Sequence, residues 1–195
     1  MRIGIYGGTF NPIHIGHLQT ADTAMHKYGL DKVIFVPAGN PYMKEQSDIE
    51  PAFCRLYMTC IATSCIKEFE VSNIETKSDK PSYTADTLLY FKHLYPDDKL
   101  FLIVGEDAYK QMPQWKQPDI SDEEMTEKGY KSKFEALADI IVVERDVNIS
   151  SSKIREKLKH GESCRFLLPA GVYDYILSHK LYKDWETLER MTKGV

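Results

Sequence analysis

Five short β-rich runs alternate with longer helical patterns along this chain, and that alternation constrains the fold more than any other feature. The runs are "RIGIY" (2–6), "KVIFVPA" (32–38), "FEVSNIET" (69–76), "KLFLIVGED" (99–107, ending as a strand at Gly105) and "ADIIVVER" (138–145). Strands alternating with helices form a parallel sheet covered on both faces, so the expected class is α/β with a doubly wound sheet. A first helix should run to about Tyr28, where Gly29 supplies a stop, and a second should start near Pro51. A third is expected over 82–95 with Ser82 or Thr84 as its cap, and two more in "ISSSKIREKL" and "LPAGVYDYILSHKLY" form a C-terminal helical segment. The stretch from Lys116 to about Phe134 is charged and weakly periodic and reads as a variable excursion. Residues 1–184 are expected to be one domain and 185–195 a tail.

At 43% hydrophobic and 28% charged residues, a chain of 195 has enough apolar material for a sizeable core. A net charge of −4 argues against a general nucleic-acid binder, though a small nucleotide needs only a few local cations. No apolar run is long enough to cross a bilayer and "MRIGIYGG" does not read as a secretion signal, so a cytoplasmic location without a membrane partner is expected. The four cysteines, Cys54, Cys60, Cys65 and Cys164, make no C-x-x-C pair and read as buried thiols of a reducing compartment.

In open parallel sheets ligands bind outside the carboxyl ends of the strands. The unusual stretches fall there: "GGTFNPIHIGH" (7–17), "PAGNPYMK", "GED" and "ERDVNISSS". In the opening loop Gly7 and Gly8 leave room for a turn and for close approach of a ligand to the backbone. His14 and His17, spaced i and i+3, share one side of a first helical turn, where N–H groups and the dipole favour an anion. A zinc pair lacks a third ligand at motif spacing and the glutamate of H-E-x-x-H. A merely capped helix start does not explain glycines, Thr9, Asn11 and two histidines together. The spelling is neither G-x-G-x-x-G nor a P-loop, which argues against a dinucleotide oxidoreductase.

"GGTFNPIHIGH" resembles the signature of the HxGH nucleotidyltransferases, most closely the bacterial nicotinate mononucleotide adenylyltransferases. "VGEDAYKQMPQW", "PSYTADTL" and "ISSSKIR" resemble further motifs of that family, and the likeness covers about Met1 to Tyr182. It implies a Rossmann-like sheet and transfer of AMP from ATP to nicotinate mononucleotide with release of pyrophosphate. It implies that Gly7, Gly8, Thr9, Phe10, Gly105, Asp107, Ser151 and Ser152 bind ATP, and that Asn11, Tyr83, Thr84 and Trp115 bind the mononucleotide. His14, His17, Lys44 and Arg155 would neutralise charge at the reacting phosphate, with Mg²⁺ held mainly by the ATP phosphates rather than by a metal site of the protein. A homo-oligomer is left open. Alternatives are another acceptor, such as nicotinamide mononucleotide or phosphopantetheine, or a nucleotide-binding module without turnover.

Two departures from the family pattern stand out. Tyr42-Met43 precedes Lys44 where relatives carry Pro-His, and the stretch after the fifth strand is short, with extra length lying before Ala138. From the residues alone, Lys153 and Arg155 sit in the first turn of a Ser-capped helix, where cations oppose the dipole unless a polyphosphate binds. The start of "SYTADTL" offers a ring carboxylate an electropositive cradle with no dedicated cation, so the acid mononucleotide is expected over the amide. Asp86, in the same turn, works against that preference.

Overall fold

A computed structural model describes residues 1–41, 49–78, 80–144 and 149–182. Five parallel strands, β1 (Arg2–Gly8), β2 (Lys32–Pro37), β3 (Phe69–Val71), β4 (Lys99–Gly105) and β5 (Asp139–Val143), form one sheet in the order β3-β2-β1-β4-β5. This is the doubly wound α/β architecture expected of the alternating pattern. The strand order reverses between β1 and β4, and that switch point is where such sheets open a crevice. β3 is shorter than its run suggested: the Ser72 N–H makes its last bond to β2, at the Phe35 carbonyl, and residues 74–77 then turn, with the Lys77 N–H bonded to the Asn73 carbonyl.

The seven helices among the described residues divide between the two faces. Side chains alternate across each strand. Tyr6, Phe35, Phe101 and Ile103 therefore pack with α1 (Ile15–Tyr28), α2 (Ala52–Thr63), α6 (Ser151–Lys159) and α7 (Ala170–Ser178). Ile3, Ile5, Leu102 and Val104 point the other way, onto Ala85, Leu88 and Phe91 of α3 (Thr84–Leu94). Gly29 ends α1 in the left-handed conformation, at φ 58°, as its position after Tyr28 requires. The cap of α3 is Tyr83, without a side-chain bond; Ser82 instead accepts the Gly39 and Asn40 N–H groups.

The 116–134 excursion is more ordered than its sequence suggested. After the short α4 (Glu106–Gln111) and a 3₁₀ turn at Met112–Gln114, Ser121 caps α5 (Asp122–Lys128) by accepting from the Glu124 N–H, and Gly129 stops it. The chain then drives Phe134, 1% exposed, beneath Trp115, with the rings edge-to-face at 5.9 Å. The thiols also correct the expectation in part. All four are thiols rather than disulfide-bonded, but only Cys54 and Cys164 are buried; Cys60 lies on the outer side of α2 and Cys65 beyond its end. No helix among the described residues is long and apolar enough to cross a membrane. The expected tail, 185–195, lies outside the described residues.

Candidate active site

A cavity of about 730 Å³ opens at the carboxyl ends of β1 and β4, within the range of small-molecule sites. Gly7, Gly8, Thr9, Phe10, Asn11, His14 and His17 line it from the opening loop, Gly105 and Asp107 from the end of β4, and Ser151, Ser152 and Arg155 from α6. Thr84 and Trp115 line its far side. Of the residues expected at a site, Tyr83 is not among those lining the cavity, and Lys44 lies outside the described residues.

The two glycines do not make the turn. Both still belong to β1, paired with Val36 and Pro37, and the left-handed residue is Phe10 at φ 47°. Their use is space: a Cβ on Gly8 would stand 2.7 Å from the Phe10 ring, while one on Gly7 would project into open space of the cavity. Gly7 thereby lets a ligand reach the backbone, and Gly8 lets Phe10 fold under it.

His14 is the N-cap of α1 rather than a member of its first turn, and His17 is the third helical residue. Their rings stack at 3.7 Å between centroids, with Phe10 edge-on to His17 at 5.1 Å. The His14 backbone N–H donates to His17 Nδ1 at 3.2 Å, so the neutral His17 ring carries its proton on Nε2. Gly16 leaves room between them, because a Cβ there would sit 3.2 Å from the His14 ring, a tight contact. The Ile15 N–H at this helix start is already taken by the Leu167 carbonyl, and His14 and His17 line the cavity.

Ser150 caps α6, so Lys153 is its third residue and Arg155 its fifth; Arg155 lies past the first turn, where the dipole penalty expected for it has faded. Arg155 donates from Nη1 to the Asn11 carbonyl at 2.9 Å, and Ser151 Oγ donates to the Pro12 carbonyl at 2.9 Å. The opening loop and the basic helix are thus bonded into one wall. What Ser151 still offers an anion is the N–H of a helix start.

Four residues of this region escaped the sequence reading. Arg55, 1% exposed, reaches under the cavity floor and donates to the carbonyls of Thr9 at 2.8 Å, Gly39 at 2.9 Å and Glu50 at 2.9 Å. Burial pulls its guanidinium below the usual arginine range, while Tyr182, Cys54 and Glu75 draw it back up. Its spacing with Met58, Thr59 and Ala62 puts it on the buried stripe of α2, a signal present in the sequence. Tyr182 donates its hydroxyl to Asn11 Oδ1 at 2.8 Å, the same oxygen that takes the Glu50 N–H at 3.1 Å. Glu75 lines the cavity near Ser82, and burial raises its carboxyl above the usual range, against hydrogen bonds from Thr87 and Ser82 and the charge of Arg55. Lys116 lines the far side beside Trp115. No local pattern marks these last three.

Among the described residues no three metal-ligating side chains converge. The polar wall is made instead of imidazoles, a guanidinium, hydroxyls and helix-start N–H groups, a set that recognises phosphate oxygens.

Residues 5–157 match the family model for cytidylyltransferase-like proteins. The chain is 40% identical over 188 residues to a protein of Thermus thermophilus named "Probable nicotinate-nucleotide adenylyltransferase", covering 94% of this chain and 100% of that one. A protein of Dehalococcoides mccartyi with the same name is 36% identical over 203 residues, 93% of this chain and 97% of its own. The fold is shared with the nicotinic acid mononucleotide adenylyltransferase of Plasmodium falciparum complexed with NaAD, at a TM-score of 0.70 and 18% identity over 93% of this chain and 97% of that one. The chain belongs to the cytidylyltransferase-like family and is an enzyme of the nucleotidyltransferase type.

Proposed function

We propose that this chain joins AMP from ATP to nicotinate mononucleotide, forming nicotinate adenine dinucleotide and releasing pyrophosphate. The observation that carries the reading is a cavity at the β1–β4 switch point that gathers the stacked His14 and His17, Ser151, Ser152 and Arg155 of α6, and Thr84 and Trp115 in one lining. Relatives that match nearly the whole chain bear a name with this activity.

The acceptor's phosphate oxygen attacks the α-phosphorus of ATP, and the bond from that phosphorus to the β-bridging oxygen breaks. The nucleophile is already anionic, so no protein base is needed. Catalysis then rests on alignment and on donors aimed at charge growing on the phosphorus oxygens. His17, with its proton on Nε2, is such a donor, and His14, Arg155 and Lys44 join it in this reading. Gly7, Gly8, Thr9, Phe10, Gly105, Asp107, Ser151 and Ser152 hold ATP; Asn11, Tyr83, Thr84 and Trp115 hold the mononucleotide. Mg²⁺ would be held mainly by the ATP phosphates and would supply charge neutralisation there.

Pyrophosphate release measured with ATP and a panel of nicotinate mononucleotide, nicotinamide mononucleotide and phosphopantetheine tests the reading. Turnover with the nicotinate compound well above the others is expected. Turnover confined to another acceptor, or none at all, refutes it.

A further inference from the structure

We infer that the Lys116–Asp86 ion pair at the far side of the cavity sets the balance between the acid and the amide form of the pyridine mononucleotide. The inference rests on the function proposed above and adds the residues that select within it.

Asp86 is the third residue of α3, and Lys116 follows Trp115 in the loop beyond the 3₁₀ turn. Lys116 Nζ lies 3.0 and 3.2 Å from the two Asp86 oxygens and 4.5 Å from the centroid of the Tyr83 ring. Carboxylate and ring together hold the ammonium beside the start of α3, on the wall formed with Thr84 and Trp115. This corrects the sequence reading, in which the cradle lacked a dedicated cation.

The acid and amide substrates have nearly the same shape and differ by one negative charge on the ring. A fixed charge near the ring therefore acts on the acid and hardly at all on the amide. Lys116 lines the cavity and Asp86 does not, so the cation lies nearer to the substrate and the pair is not electrostatically silent. Removing the cation leaves Asp86 alone at the helix start, where it opposes a carboxylate ligand twice over, by direct repulsion and by saturating the dipole. Removing the anion does the reverse. Both side chains are about half exposed, 48% for Lys116 and 57% for Asp86, so solvent screens each effect.

The test is the ratio of kcat/KM for nicotinate mononucleotide to that for nicotinamide mononucleotide in wild type, Lys116→Met and Asp86→Asn. The ratio should fall about two- to fivefold in the first variant and rise by about the same factor in the second. In both, the acid values should move more than the amide values, and 0.5 M salt should shrink the differences. A ratio unmoved in either variant, shifts of the same sign, or equal losses with both substrates overturn the inference and leave adenylyl transfer standing. Failure of the wild type to adenylylate either mononucleotide overturns the functional reading itself, and the pair's role with it.

Discussion

The two sides of the cavity are built differently. Under the proposed function one side of the cavity meets the phosphates and the other the ring; on the phosphate side, three buried or half-buried side chains end on main-chain carbonyls of the opening loop or its neighbour. Arg55 holds Thr9 and Gly39, Arg155 holds Asn11, and Ser151 holds Pro12. On the ring side the charged contact is the solvent-facing Lys116–Asp86 pair. Carbonyls fixed by buried cations cannot drift without leaving polar groups unsatisfied, whereas an exposed pair shifts at small cost. Under the proposed function, the reacting phosphates would meet the rigid side and the part of the substrate that varies would meet the adjustable one.

The contrast can be broken most severely at Arg55. Arg55→Met should strip three part-buried carbonyls of their buried donor and destabilise the protein by about 3–5 kcal/mol, read by chemical denaturation. A loss below about 1 kcal/mol would show that the phosphate side is not held from beneath. Next in size is His17→Ala, expected to lower kcat by about 10²–10³ with a much smaller change in KM for ATP, because its donor matters most as charge develops. Near wild-type kcat would remove this histidine from the reaction.

Arg155→Ala sharpens the comparison, since it removes a strut and a proposed phosphate ligand together. The thermal stabilisation produced by ATP should shrink, and the unliganded protein should lose about 1 kcal/mol with the Asn11 contact. From sequence alone, loss of a cation opposing the dipole carried no such cost. An undiminished ATP shift would argue against the phosphate contact. Tyr182→Phe deletes one hydroxyl, so a cost of about 0.5–1.5 kcal/mol is expected, with a rise in KM for ATP as Asn11 loosens. Unchanged stability and kinetics would mean that this C-terminal tyrosine does not hold the loop.

The smallest effect concerns pH. The Glu75 carboxyl titrates above its ordinary value of 4.5 in the folded protein because burial disfavours its charge. The folded state thus holds the proton more tightly than the unfolded state. The associated stability is full below pH 4.5 and is lost as pH rises through the higher folded value. Glu75→Gln, which keeps an acceptor for the Thr87 hydroxyl, should flatten this decline in melts recorded from pH 4 to 7. A decline of the same slope in the variant would assign it to another group.

Strand and helix positions were legible where a periodicity or a stop residue wrote them. The run 99–105 is apolar because it is buried on both faces, and Gly29 tolerates the left-handed turn that ends α1. The site was legible where one segment carried it, as in the opening loop and "ISSSKIR". It was illegible where its parts come from distant segments. Nothing near Tyr182 indicates that its hydroxyl meets Asn11, 171 residues earlier. Nothing near Phe134 indicates that a charged excursion would bury it under Trp115.

What the sequence by itself determined was local and chemical: five strands in alternation with helices, a bulk-free approach to the ligand at Gly7 and Gly8, and two histidines one turn apart. These follow from backbone sterics and side-chain periodicity, which act over a few residues. Tertiary structure alone decided the rest. It gave the buried Arg55 its three carbonyl partners, tied Arg155 to the opening loop, and set Lys116 beside Asp86. Each of those outcomes depends on which segments the sheet order brings within about 3 Å, the range over which hydrogen bonds and desolvation act.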